Sequence, residues 1–483
     1  MKKIRPLLTG VFILALSILT SCGLLPSLSS SSSSTSSAES SSSSSSSSSS
    51  TSNQNSSSSA NHEHIYVNGS CEFCGATEGL EYTSLGLGYS VSKGIAGNEK
   101  IIVIPSYHNG VSVKLIGDGA FQDCNSLTNI VIPESVTSIG VGAFSGCSSL
   151  TSITIPNSVT SIDQFTFSGC SSLESITIPD SVISIGVDAF DGCSSLKNVY
   201  YQGTLENWCN ISFSYSSSNP MRYAEHIYML DSNSKYYEVT RIEIPNTVTT
   251  IEGYCFVGFN SVTSITIPES VISIDEYAFQ GCSSLTSITI PERVTSISEG
   301  VFYGCSSLKS VSIPNDVTSI GVGAFWYCSS LESITIPNSV TNIGGSAFYG
   351  CSSLISITIP NSVISIGVSA FFGCSSLERV TIGNNITTIS NYAFERCSSL
   401  TSITIPDSVT SIGVGTFSGC SSLTSIIIPK NVTSIGKEAF YDCRLLENVY
   451  YTGTEEQWKT ITIGRENIKL NSATKIYNYV PEE

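Results

Sequence analysis

GCSSLTSITIPNSVTSIDQFTFSG occupies residues 146–169, and GCSSLESITIPDSVISIGVDAFDG follows at 169–192. The same pattern recurs along most of the chain, thirteen times in all. Pro133, Pro156 and Pro179 mark one run; Pro245, Pro268, Pro291, Pro314, Pro337, Pro360, Pro406 and Pro429 mark a second, with Gly383 standing in once. Within each run the step is 23 residues. A fixed period of this length is the signature of a stacked-repeat architecture, in which one turn cannot bury its own apolar face and only neighbours supply a continuous core.

Inside one turn, Ile153 and Ile155 alternate with Ser152 and Thr154, the period-two mark of a short strand with one face buried. Pro156 has no N–H to give a neighbouring turn and ends the strand. Val159 and Ile162 then point inward across a loop. Gly140, Asp163 and Ser298 occupy a position suited to the N-cap of a short helical turn that carries Ala143 and Phe144 into the core. Glycine precedes the cysteine register in nine of the thirteen turns, a helix-stop signal. Asp123, Tyr327, Arg396 and Asp442 replace it, which implies that a left-handed backbone is not obligatory there.

These features predict a β-rich (α+β) leucine-rich-repeat solenoid of 23-residue turns, with one short strand and a short helical or 3-10 turn per repeat. The motif CSSLxSITIPxSVTSIGxxAFxG over residues 100–483 resembles the BspA-like leucine-rich repeat family of bacterial surface proteins. The asparagine common in other leucine-rich repeats is here mostly serine (Ser158, Ser181, Ser270). The resemblance implies adhesion to host proteins or to other bacteria. Two departures echo each other, VYYQGTLENW at 199–208 and VYYTGTEEQW at 449–458, and read as capping units. They divide the folded part into 80–234, an N-terminal cap and first array, and 235–483, a second array with its own cap.

The N-terminus reads as export machinery. MKKIR followed by LLTGVFILALSIL gives residues 1–21 the charge and apolar core of a signal peptide. Leu19-Thr20-Ser21-Cys22 resembles the lipobox of bacterial lipoproteins, which implies lipidation of Cys22; an ordinary secretory cleavage site is the alternative. From Ser29 to Ser59 most residues are serine, so 22–60 reads as a flexible tether that cannot bury enough apolar surface to order itself. Its mean reach is about 30 Å. The expected location is extracytoplasmic, with the membrane touched only through the lipid anchor.

Charge and chemistry narrow the function. The balance of −17, which loss of Lys2, Lys3 and Arg5 would carry to −20, repels nucleic acid. The four histidines form no recurring constellation with a nucleophile and an acid, and no phosphate-binding glycine loop is present, so no enzyme is expected. Within residues 61–79, His62 or His64 with Cys71 and Cys74 offers the nitrogen and sulfur ligands of a structural zinc; a disulfide or reduced thiols are the alternatives. No other cofactor is suggested. Twelve further cysteines form a register, Cys124 to Cys193 and Cys282 to Cys443, which Phe259 fills once. That exchange implies buried apolar thiols rather than disulfide rungs.

The strand faces repeat Ser-x-Thr, an uncharged hydroxyl surface. In one place the pattern breaks. The residue after the core Phe is polar or small in most turns (Ser145, Asp191, Glu395) but becomes Tyr303, Trp326, Tyr349 and Phe372 in four consecutive turns, with Tyr327 beside Trp326. This is an exposed aromatic stripe of the kind that marks an interface. The expected partners are extracellular proteins or glycans of a host or of other bacteria; a passive envelope spacer is the remaining reading.

Overall fold

A computed structural model describes residues 64–231 and 233–481. Cys22, with the leader and tether, and His62 lie outside the described residues. The 23-residue period becomes strand register without slip. Ser152–Thr154 pairs in parallel with Ser175–Ile178, setting Ser152 against Ser175, Ile153 against Ile176 and Thr154 against Thr177. Identical residues therefore meet across each rung, and Ile153, Ile155, Leu150 and Phe144 all lie buried.

Most turns have two strand segments rather than one. Ser161–Ile162 pairs in parallel with Ser184–Ile185, and the same Ser-Ile step recurs along both arrays. The segment expected to be helical is instead a succession of tight turns, closed by Ala143 N–H on the Gly140 carbonyl, Ser145 on Gly142 and Cys147 on Phe144. Gly142, with φ at 60°, interrupts any helical run. The glycine before the cysteine is also left-handed, and so are its four replacements: φ is 59° at Asp123, 57° at Tyr327, 60° at Arg396 and 57° at Asp442. The expectation that these four escape that conformation is therefore corrected. The N–H groups of Asp123, Tyr327 and Arg396 bond the next turn, as Tyr327 N–H does to the Tyr349 carbonyl at 2.7 Å, and that rung fixes the backbone whatever the side chain.

Two columns run through the core. Phe rings stack from Phe121 to Phe190 and again from Phe256 to Phe440; Phe121 and Phe144 sit 5.5 Å apart and nearly parallel. Beside them, each cysteine thiol of the repeat register after Cys124 donates to a Phe carbonyl 26 residues back, as Cys170 does to Phe144 at 3.1 Å and Cys305 to Phe279 at 3.2 Å. Phe259 fits this rule. Residue 26 back from it is Asn233, which lies in the link between arrays and provides no such Phe carbonyl. The serine in the asparagine position keeps a ladder of its own: Ser181 Oγ donates to the Val159 carbonyl at 2.6 Å, and Ser270 to Val248 at 2.8 Å.

The first echo unit is a junction as well as a cap. Asn198–Tyr201 leads into a helix, Leu205–Cys209, started by a capping box between Thr204 and Asn207. Trp208, fully buried, packs edge-on to Tyr201 and to Phe259, and its indole N–H donates to the Cys255 carbonyl at 3.0 Å. Residues 80–234 and 235–483 thus share one hydrophobic core. The second unit repeats the design with Thr454, Gln457 and Trp458, the Trp again edge-on to a tyrosine, Tyr451. At the other end, the hairpin Tyr66–Val67 with Ser70–Cys71 precedes Ile101–Val103, the first strand to enter the main stack.

Candidate functional site

The stripe is real but only half exposed. Tyr303, Trp326, Tyr349 and Phe372 are each partly buried, because turn-to-turn rungs hold their backbones at a spacing that lets the rings stack. Ring centroids lie 4.9 Å apart for Trp326 and Tyr349 and 4.5 Å for Tyr349 and Phe372, the latter pair parallel within 5°. The free face of Phe372 is taken by the Arg396 guanidinium, 5.5 Å from the ring centre. Tyr327 is the exception, 49% exposed and edge-on to Tyr349 at 5.5 Å. Burial pushes the Tyr349 phenol above its ordinary range.

This stripe forms one end of an open groove of about 720 Å³. Tyr327, Tyr349 and Phe372 line the aromatic end; Arg396, Asp442 and Arg444 line the other. The floor is a row of serines, Ser329, Ser352, Ser375, Ser398 and Ser421. Their hydroxyls donate to the preceding turn, Ser329 to the Ser306 carbonyl at 3.2 Å and Ser398 to Ser375 at 3.2 Å. Each floor oxygen then offers lone pairs to a ligand, while the arginine end offers N–H donors. Arg444 grips Asp442 through two bonds of 2.7 and 3.0 Å, and these hold the carboxyl below its usual range.

Tyr303 and Trp326 join the stripe without lining the groove. Reading the sequence missed Arg396, Asp442, Arg444 and the serine floor. The signal was present. Of the four residues that replace the left-handed glycine, three (Tyr327, Arg396 and Asp442) line this one groove. A side chain there costs about 1–2 kcal/mol that glycine avoids.

Far from the groove, His64, Cys71 and Cys74 bring one imidazole nitrogen and two sulfurs within 4.8 Å of one another. His64 Nδ1 lies 3.5 Å from the Cys74 sulfur, and its Nε2 lies 3.0 Å from the Tyr107 carbonyl. The other histidines serve elsewhere: His108 stacks on Tyr82 at 3.8 Å, and His226 contacts Glu238 at 2.6 Å.

The model of the BspA type leucine rich repeat region matches residues 114–238, 231–355 and 342–468. The chain belongs to that family. Among solved structures, this BspA-type chain is similar to a leucine-rich repeat protein from Bacteroides ovatus at 29% identity, over 83% of this chain and 99% of the other, with a TM-score of 0.55. It is also similar to a leucine rich cell surface protein from Faecalibacterium prausnitzii at 30% identity, over 80% and 97%, with a TM-score of 0.52. No curated protein matches it. The BspA-type match includes the whole groove but not residues 64–80, so the Cys/His cluster lies outside the repeat region.

Proposed function

We propose that this BspA-type chain is a lipid-anchored, extracytoplasmic binding protein whose groove between Tyr327 and Arg444 docks an extracellular protein of a host or of another bacterium. One observation carries the reading. Side chains in the left-handed position before the cysteine cost stability, and three of the four found there converge on a single groove, as strain retained for function does. A protein ligand is favoured over a glycan because Tyr349 and Phe372, which line the groove, spend ring faces on each other and Phe372 its other face on Arg396. Sugars stack on open ring faces; apolar side chains and peptide groups pack against edges and hydroxyls. Binding rather than catalysis fits a groove whose ionised groups are two arginines and an aspartate already paired. The similar Faecalibacterium prausnitzii protein is itself a cell surface protein, in keeping with the signal and tether read from the sequence.

The test is a screen of the mature chain against immobilised matrix proteins, bacterial surface proteins and a glycan panel, repeated with Tyr327→Gly and Arg396→Gly. Capture of a protein, lost in both variants, supports the reading. Glycan capture with those variants intact would overturn it. Anchoring is tested by Cys22→Ala, which should move the protein from the membrane fraction to the soluble one.

A further inference from the structure

We propose that His64, Cys71 and Cys74 form a structural zinc site that locks the N-terminal cap onto the first strand of the solenoid. The hairpin Tyr66–Val67 with Ser70–Cys71 places His64 and the two cysteines on one knuckle. Cys71 N–H bonds the Ala76 carbonyl at 2.9 Å, and Gly75, at φ 71°, returns its N–H to the Cys71 carbonyl at 2.8 Å. These two bonds fold residues 71–76 into a tight loop that brings both sulfurs to the same side.

The imidazole decides between metal and disulfide. A carbonyl oxygen can only accept, so the 3.0 Å contact with Tyr107 puts the proton on His64 Nε2 and leaves the Nδ1 lone pair facing the sulfurs. Holding the distal nitrogen on a carbonyl is how metal-binding histidines are oriented. In a zinc tetrahedron with ordinary Zn–S and Zn–N bonds, a nitrogen and a sulfur stand about 3.6 Å apart; His64 Nδ1 and Cys74 Sγ are 3.5 Å apart. A Cys71–Cys74 disulfide has no use for that nitrogen. Two sulfurs with one nitrogen select zinc among common divalent ions. Cys71 is buried and Cys74 exposed, so the cluster lies at the protein surface.

The knuckle reaches the solenoid through Thr77. Its N–H donates to the Val103 carbonyl at 3.0 Å, and its Oγ1 accepts from Val103 N–H at 2.8 Å. Val103 belongs to Ile101–Val103, the outermost strand of the main stack, and Thr77 satisfies the outward N–H and carbonyl of Val103. A metal that rigidifies residues 64–77 therefore holds Thr77 against Val103.

The experiment uses the full mature chain, purified under reducing conditions, dialysed against zinc and then freed of loose metal. Elemental analysis should find one zinc per chain, absent from a Cys71→Ser/Cys74→Ser double variant. His64→Ala should weaken retention against a chromophoric chelator by roughly tenfold or more. Cobalt loading of the wild-type chain should give thiolate charge-transfer and tetrahedral d–d bands; this spectrum decides the matter even where a variant folds poorly. Zinc content no higher than in the double variant, or a cobalt spectrum without thiolate bands, would overturn the site. Recovery of a linked 71–74 peptide from a metal-free chain would do the same.

Discussion

The ring of Tyr327 lies across the backbone of Gly350 in the next turn: a methyl group on Gly350 would stand 2.6 Å from Cδ1 of that ring. Glycine at 350 is thus what lets a side chain at 327 lie along the groove, and Arg396 stands likewise over Gly419, whose added methyl would be 3.4 Å from Cγ. Each substituent in this register except the last, Asp442, is followed one turn on by a glycine, whose open space its side chain occupies.

Tyr327→Gly should separate binding from stability. The substitution relieves about 1–2 kcal/mol of left-handed strain while losing an edge contact worth about 0.5–1.5 kcal/mol. The melting temperature should stay level or rise slightly. Affinity for a captured protein should fall roughly 30-fold, the cost of about 2 kcal/mol at a buried aromatic anchor. Binding by the variant at wild-type strength would remove Tyr327 from the interface.

Trp326→Ser with Tyr349→Ser should behave differently. Both rings are partly buried and each packs against three neighbouring rings, so the double variant should lose about 2–4 kcal/mol of stability in addition to any binding. A denaturant melt checks this. An unchanged midpoint would mean that the stripe's contacts contribute nothing to the fold.

The ladder thiols should resist alkylation in the folded chain and react on unfolding without any reductant. Burial pushes Cys170, Cys374 and Cys443 up to about 12. In the unfolded chain a thiol ionises near about 8.5. Between those values the unfolded chain releases protons that the folded chain keeps, so stability falls as pH rises, by about 1.4 kcal/mol per pH unit for each such thiol. Stability should be insensitive to these groups below about pH 8 and drop steeply above it, as chemical denaturation at a series of pH values would read. A flat profile to pH 11 would show the thiols already ionised or oxidised.

Trp208→Ala should uncouple the arrays. It empties a fully buried site, at about 3–5 kcal/mol, and removes the indole donor to Cys255. Calorimetry should resolve two transitions where the wild type has one. A single, merely lowered transition would place the coupling in other contacts, such as the Asn219 amide on the Tyr254 carbonyl at 2.9 Å.

The Cys/His knuckle and the inward residues were legible because their logic is local. Cys71 and Cys74 are three apart, and alternation such as Ile153 and Ile155 names a buried face within one strand. Phe259 was legible as a core residue, but the absence of a Phe carbonyl 26 residues before it was not, because that partner belongs to another turn. The second strand segment also escaped notice, since Ser161–Ile162 is too short for periodicity to reveal. Trp208 and Cys255 are 47 residues apart, and nothing in either segment alone announces that they touch.

The sequence by itself determined the repeat, its 23-residue register and which side chains face inward, because a fixed period forces identical residues onto matching rungs. Tertiary structure alone decided the groove. Tyr327, Arg396 and Asp442 lie in different turns, and they line one surface only because stacking turns the spacing along the chain into short steps across it. The direction in which each side chain leans over its neighbour depends on the left-handed backbone beneath it and on the glycine left open in the next turn, and neither is set by the residue's own sequence neighbours.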